Sequence, residues 1–245
     1  MTYHRKITTL ASVAALAIAA GVTLTPMKAD ALSITLESSA DPGTSLTLID
    51  NGTSGGFTDM VGASGVFAAG TITGVAGVGG FTINSITASA ADNGSFSELS
   101  QTSLDVSGGA AGEILTVETM SSFSGGANFP NNSRLTFSFS GSELGSTVSG
   151  FGTADSTSTG SLSFDSSVDG SGSFSGDVTA NVVLSDPFDL TSTVEIGSTT
   201  FPDDTTFTST VTAAVVPLPA SALLLLGGLG GLGGLSALRR RKRAA

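Results

Sequence analysis

The chain has 245 residues, 40% of them hydrophobic, enough for one ordinary domain or two small ones with a packed core. It has no Cys or Trp, and its single His and single Tyr are His4 and Tyr3, so disulfides, Cys/His metal sites and His-activated nucleophiles are excluded from the rest of the chain. Between Leu32 and Leu238 one base, Arg134, stands against 19 acids, a net of −18; such a body repels phosphate backbones and excludes nucleic-acid binding.

Residues 1–31 read as a secretory signal peptide. His4-Arg5-Lys6 supplies the charged start, and an uncharged run follows from Ile7 to Met27, rich in Ala, Leu and Val between Leu10 and Leu24. Ala29-Asp30-Ala31 fits the small-x-small rule, so Ala29 and Ala31 form the expected signal peptidase site, with the cut after Ala31. An uncut anchor helix is the alternative.

Residues 32–214 form a Ser/Thr/Gly-rich acidic body whose apolar residues recur two apart. Leu46-Thr47-Leu48, Phe81-Thr82-Ile83, Leu135-Thr136-Phe137-Ser138-Phe139 and Phe207-Thr208-Ser209-Thr210-Val211 are examples. Period two with Thr, Val, Ile and Phe marks half-buried strands. Asn51-Gly52, Asn93-Gly94 and Asp169-Gly170 are hairpin-type dipeptides. The expected fold is therefore all-β, an antiparallel β-sandwich of ten or more strands, with the 14 Phe residues as its core and the Ser/Thr faces in water. From Gly141 to Gly176 the sequence thins to Gly, Ser, Thr and Asp with isolated Phe, which predicts weakly packed strands or edge hairpins.

Carboxylates are the only acid–base equipment in this body. The closest pairs are Asp203-Asp204, Asp165/Asp169 and Asp186/Asp189. A glycosidase needs two carboxyls flanking a cleft, and sugar sites add aromatic platforms with a polar handle, which Trp and Tyr supply and Phe does not. Solvated charge that keeps an exported protein soluble accounts for the same residues. No catalytic residue is assigned. No cofactor is expected beyond loosely held Ca2+; no EF-hand-type loop occurs, and Asp165, Asp169, Asp203 and Asp204 are at most weak ligands.

The tail, 215–245, is uncharged from Ala213 to Leu238 and then carries Arg239, Arg240, Arg241, Lys242 and Arg243. Ala220 to Leu238 reaches roughly 28 Å as a helix, close to the hydrocarbon thickness of a bilayer. Pro217 and Pro219 open that helix, and the basic cluster halts transfer on the cytoplasmic side. Glycines at 227/231 and 230/234 have the GxxxG spacing that lets another helix approach. Val216-Pro217-Leu218-Pro219-Ala220, the Leu/Gly-rich helix and the closing Arg run together resemble the VPLPA variant of the PEP-CTERM sorting signal. Leu218 stands where the main PEP motif has Glu. The resemblance covers about the last 30 residues and implies processing by an exosortase-type membrane protease, with Pro217 and Pro219 as recognition residues, in a Gram-negative bacterium that makes exopolysaccharide.

These readings combine into an exported, non-enzymatic protein of the cell envelope, surface or extracellular matrix. Its expected partners are signal peptidase, the sorting protease and exopolysaccharide. A carboxylate-dependent glycan hydrolase and a permanently anchored periplasmic protein are the alternatives.

Overall fold

Alternation forces one side of a strand into the core and the other into water. In the computed structural model of the chain, that pattern resolves into sixteen strands among the described residues. The structure describes residues 29–51, 53–54, 57–59, 66–92, 96–124, 133–143, 146–165, 172–198, 205–216 and 224–225. The first eight strands are β1 (Ala29–Ser38), β2 (Ser45–Ile49), β3 (Thr53–Ser54), β4 (Phe57–Thr58), β5 (Val66–Ala69), β6 (Ile72–Thr73), β7 (Phe81–Asp92) and β8 (Phe96–Gly108). They are followed by β9 (Ile114–Phe123), β10 (Ser133–Glu143), β11 (Ser146–Ala154) and β12 (Thr157–Ser158). The last four are β13 (Leu162–Asp165), β14 (Gly172–Val182), β15 (Phe188–Ser198) and β16 (Thr205–Val215).

All pairings are antiparallel. Sheet A runs β14-β10-β16-β8-β7-β5 with β6 also on β7, and sheet B runs β12-β11-β15-β9-β1-β2 with β13 also on β11. The two seven-stranded sheets pack face to face around one apolar cluster. Leu32, Ile34 and Leu36 of β1, Leu115 and Val117 of β9, and Val194 and Ile196 of β15 line the inner face of sheet B. Ile83, Ile86, Leu99, Leu135, Phe137 and Val211 line that of sheet A. Each such side chain withdrawn from water contributes about 1.5–3 kcal/mol.

The all-β expectation holds, and the strand count exceeds ten. The aromatic expectation needs correction. Phe67, Phe81, Phe123, Phe137, Phe139, Phe188 and Phe207 are buried, whereas Phe96, Phe151, Phe164 and Phe174 are only half-buried. Phe151 faces outward because β11 alternates in the opposite phase: Val148, Gly150, Gly152 and Ala154 take the inside. A Cβ at Gly150 would lie 2.9 Å from the Phe137 ring, and one at Gly152 would lie 3.0 Å from Val211, so the facing sheet fills the space that glycine leaves.

The stretch from 141 to 176 is therefore not uniformly loose. β11 lies inside sheet B and matches β15 over nine consecutive pairs, from Ser146↔Ser198 to Ala154↔Leu190. Its edge character belongs to β13 and β14, which lie in different sheets. Asp169-Gly170 thus falls in a connection between sheets, outside the described residues, and does not join two paired strands. Asn93-Gly94 does fall between two paired strands, β7 and β8, although the dipeptide itself is outside the described residues. Asn51 takes the left-handed backbone (φ 54°) at the end of β2.

Polar side chains also occupy the interior. The Ser192 and Ser209 hydroxyls share a hydrogen bond at 2.9 Å from one sheet to the other, and Ser209 donates to Gln101 Oε1 at 3.4 Å. Thr119, opposite Ser192 in register, is fully buried beside them.

Candidate functional site

Two places gather polar side chains into defined geometry. The first is at one end of the sandwich. Glu113, 6% exposed, closes the turn between β8 and β9. Its Oε1 accepts from the Ser38 hydroxyl at 2.6 Å and from Gly80 N–H at 2.9 Å, and its Oε2 accepts from Ala110 N–H at 2.8 Å. Burial pushes this carboxyl up, but the Ser38 hydroxyl and the Ala110 and Gly80 N–H groups outweigh burial and hold it below the ordinary glutamate range. Its backbone joins β15 as well: Ser198 N–H donates to Glu113 O at 2.9 Å. The carboxylate thus ties β1 and β9 of sheet B to the loop that opens β7 of sheet A.

Glycine makes that tie possible. Gly79 has φ +60°, and a Cβ there would collide with Glu113 Oε1 and Ser38 Oγ. With both carboxylate oxygens held by three protein donors, Glu113 acts as a structural staple.

The second place is a groove of about 320 Å³ on the outer face of sheet B. Its floor comes from three adjacent strands: Ser149 and Phe151 of β11, Thr193 and Glu195 of β15, and Ser161 and Ser163 at β13. The register fixes their arrangement. Ser149 lies opposite Glu195 on one side and Ser163 on the other, and Phe151 lies opposite Thr193. A half-buried ring is thereby ringed by hydroxyls, with one exposed carboxylate at the side. Such a surface offers an apolar platform together with hydrogen-bond donors and acceptors.

The carboxylates singled out from sequence do not build this site. Asp165 lies at the end of β13 opposite Thr147. Asp189 accepts from the Ser122 hydroxyl at 2.6 Å, and its N–H donates to Asp155 at 3.0 Å, while Asp186 is exposed in the segment before β15. Asp169, Asp203 and Asp204 lie outside the described residues. Among the described residues no three His, Cys, Asp or Glu side chains are placed to hold a metal ion.

The terminal readings fall largely outside the described residues too. Strand β1 begins at Ala29, so Ala29 and Ala31 are paired with β9 residues Phe123 and Ser122. At the other end β16 stops at Val215, one residue short of the Val216–Ala220 motif. Of residues 220–238 only Leu224 and Leu225 are described; both are helical and exposed. Among the described residues no helix is long and apolar enough to cross a membrane. The basic cluster Arg239–Arg243 is outside them.

Sequence reasoning missed Glu195 and Phe151. The available signal was the phase of Ser149-Gly150-Phe151-Gly152-Thr153, where glycines share one parity and Phe shares the other with Ser and Thr.

No protein-family model and no curated protein matches the chain. A solved structure described as a carbohydrate-binding module of the β-sandwich superfamily is similar over 76% of this chain and 92% of its own. The identity is 9% and the TM-score 0.26, too distant for any inference about a ligand.

Proposed function

We propose that the chain is an exported, non-catalytic envelope or matrix protein whose β-sandwich contacts glycan through the outer groove of sheet B. The observation that carries the contact is the three-strand floor around Phe151. Its ring has no polar handle of its own and offers only an apolar face to the C–H face of a sugar, so the polar contacts fall to its neighbours. Ser149, Ser161, Ser163, Thr193 and Glu195 offer hydrogen bonds to ring hydroxyls. A body of net charge −18 repels anionic polysaccharide, so association with an acidic exopolysaccharide uses divalent cations as bridges.

Export and sorting are part of the same proposal. The strands run from Ala29 to Val215, so β1 begins three residues before the proposed cut after Ala31 and would be shortened by it. In the proposed precursor, residues 1–31 direct secretion, 220–238 span the inner membrane as a helix, and Arg239–Arg243 stay in the cytoplasm. An exosortase-type protease acting near Val216–Ala220 then passes the body outward.

Two measurements test this. Mass spectrometry of the mature protein should lack peptides covering Leu223 to Arg243; their presence means a permanent anchor. Co-sedimentation with exopolysaccharide should be lost in Phe151→Ala and Glu195→Gln and in the presence of a chelator. Unchanged binding in both variants sinks the groove, and binding indifferent to chelator sinks the cation bridge.

A further inference from the structure

Among the described residues, two of the four edges of the seven-stranded sheets are interrupted and a third is short. In sheet A, β5 and β6 share one edge as pieces of four and two residues. In sheet B, β2 has five residues, and β13 and β12 cover the opposite edge as pieces of four and two. Strand β14 is different. It pairs with β10 in unbroken register from Ser133↔Val182 to Glu143↔Gly172, eleven residues long, and among the described residues no strand pairs with its other side. A long regular edge exposes a row of backbone donors and acceptors that another strand can complete.

The residues along this edge carry little that would repel such a strand. Asp177 is the one charged residue of β14, which contains no Pro or Lys. Its inward side chains Phe174 and Val178 are only half-buried, beside half-buried Leu162 and Phe164 of β13. The Phe164 and Phe174 rings stack at 4.7 Å at this open side of the sandwich. Apolar surface and unpaired backbone thus coincide along one line.

We propose that β14 pairs antiparallel with β14 of a second copy of this chain, across a two-fold axis at Val178. The argument for a second copy is that this register is self-complementary. It sets Val178 against Val178, Phe174 against Val182 and Gly176 against Ala180 on the inner face. On the outer face it sets Ser175 against Asn181 and Asp177 against Thr179, so the one acid meets a hydroxyl rather than its own copy. Nine residues from each chain pair, about 30 Å of shared ladder, and sheet A becomes continuous through the dimer. The inference is independent of the glycan groove, which lies on the outer face of sheet B.

The chain contains no cysteine, so single substitutions report the contact without background. Full-length protein in detergent is oxidised mildly and the product mass read. Val178→Cys is expected to give a disulfide species at twice the chain mass, because directly opposed Cβ atoms approach to about 4.5 Å, the upper end of disulfide geometry, so a small local shift closes the bond. Ser175→Cys and Asn181→Cys, both at exposed positions, should each remain monomeric alone, their like positions being offset by six residues, roughly 20 Å. Co-expressed, those two variants should crosslink to each other. Thr210→Cys, mid-sheet on the outer face of sheet A, is the comparison for random collision. Val178→Cys crosslinking no faster than Thr210→Cys overturns the proposal. So does a crosslinked mass other than twice the chain, or failure of the 175/181 mixture while Val178→Cys succeeds.

Discussion

Replacing Glu113 by Gln changes one oxygen to an amide and leaves the side-chain volume intact. The amide oxygen can still accept from the Ser38 hydroxyl and Gly80 N–H, now as neutral hydrogen bonds. The amide nitrogen meets Ala110 N–H donor to donor, so a part-buried N–H at an exposed residue loses its acceptor. A buried group left unmet costs about 1–3 kcal/mol and water reaches this one, so the low end applies and Glu113→Gln should destabilise by about 1 kcal/mol at neutral pH. For a protein of this size that lowers Tm by roughly 2–4 °C. Glu113→Ala, which removes both acceptor oxygens and the three hydrogen bonds they accept, should cost more.

The pH dependence gives the sharper check. The folded-state pKa of Glu113 is lowered, so its stabilisation is complete above the ordinary glutamate pKa and is lost as pH falls through the folded value. Thermal or urea unfolding of wild type and Glu113→Gln should therefore differ at pH 7 and converge in acid. A gap smaller than about 0.5 kcal/mol at pH 7, the scatter of neutral surface changes, would refute the staple. A gap that persists unchanged in acid would refute its ionic character.

Gly79→Ala should destabilise through the same locus, because it places a Cβ against Glu113 and Ser38 in a left-handed backbone that costs an L-residue about 1 kcal/mol before any clash; urea titration reads this, and a neutral result would mean that the loop reshapes freely. Gln101→Leu should change stability by less than about 1 kcal/mol, since it removes the unpartnered buried Nε2 but also the Oε1 that accepts from Ser209. A larger loss of stability there would show that the interior amide fixes how the sheets align. Glu195→Gln, at an exposed position, should leave unfolding stability within about 0.5 kcal/mol, whereas Phe151→Ala, which removes a half-buried ring, should cost about 1 kcal/mol by urea titration. A larger loss would make them packing residues and remove the groove as a ligand surface.

Much of the strand content was legible because period two is written locally. Leu135, Phe137 and Phe139 announce both a strand and its inner face, and β10 delivers them buried. Phe151 was misplaced for the complementary reason: composition alone puts Phe inside. Only the facing sheet reveals that Phe137 and Val211 already fill the room beside Gly150 and Gly152. Glu113 gave no sequence signal as a staple, since its partners Ser38 and Gly80 lie 75 and 33 residues away.

Taken alone, the sequence determined the all-β class, the exclusion of thiol and imidazole chemistry, and the acidic body between apolar ends, because each is a property of residue type and short-range spacing. Tertiary structure decided how fourteen of the described strands divide between two large sheets while β3 and β4 pair apart, which edge stays open, which Phe faces water, and which carboxylate is enclosed. Those outcomes depend on pairings between strands far apart in the chain, such as β1 with β9 and β8 with β16. Local alternation fixes a strand's two faces but leaves its neighbours free, and only the closing of the common core selects them.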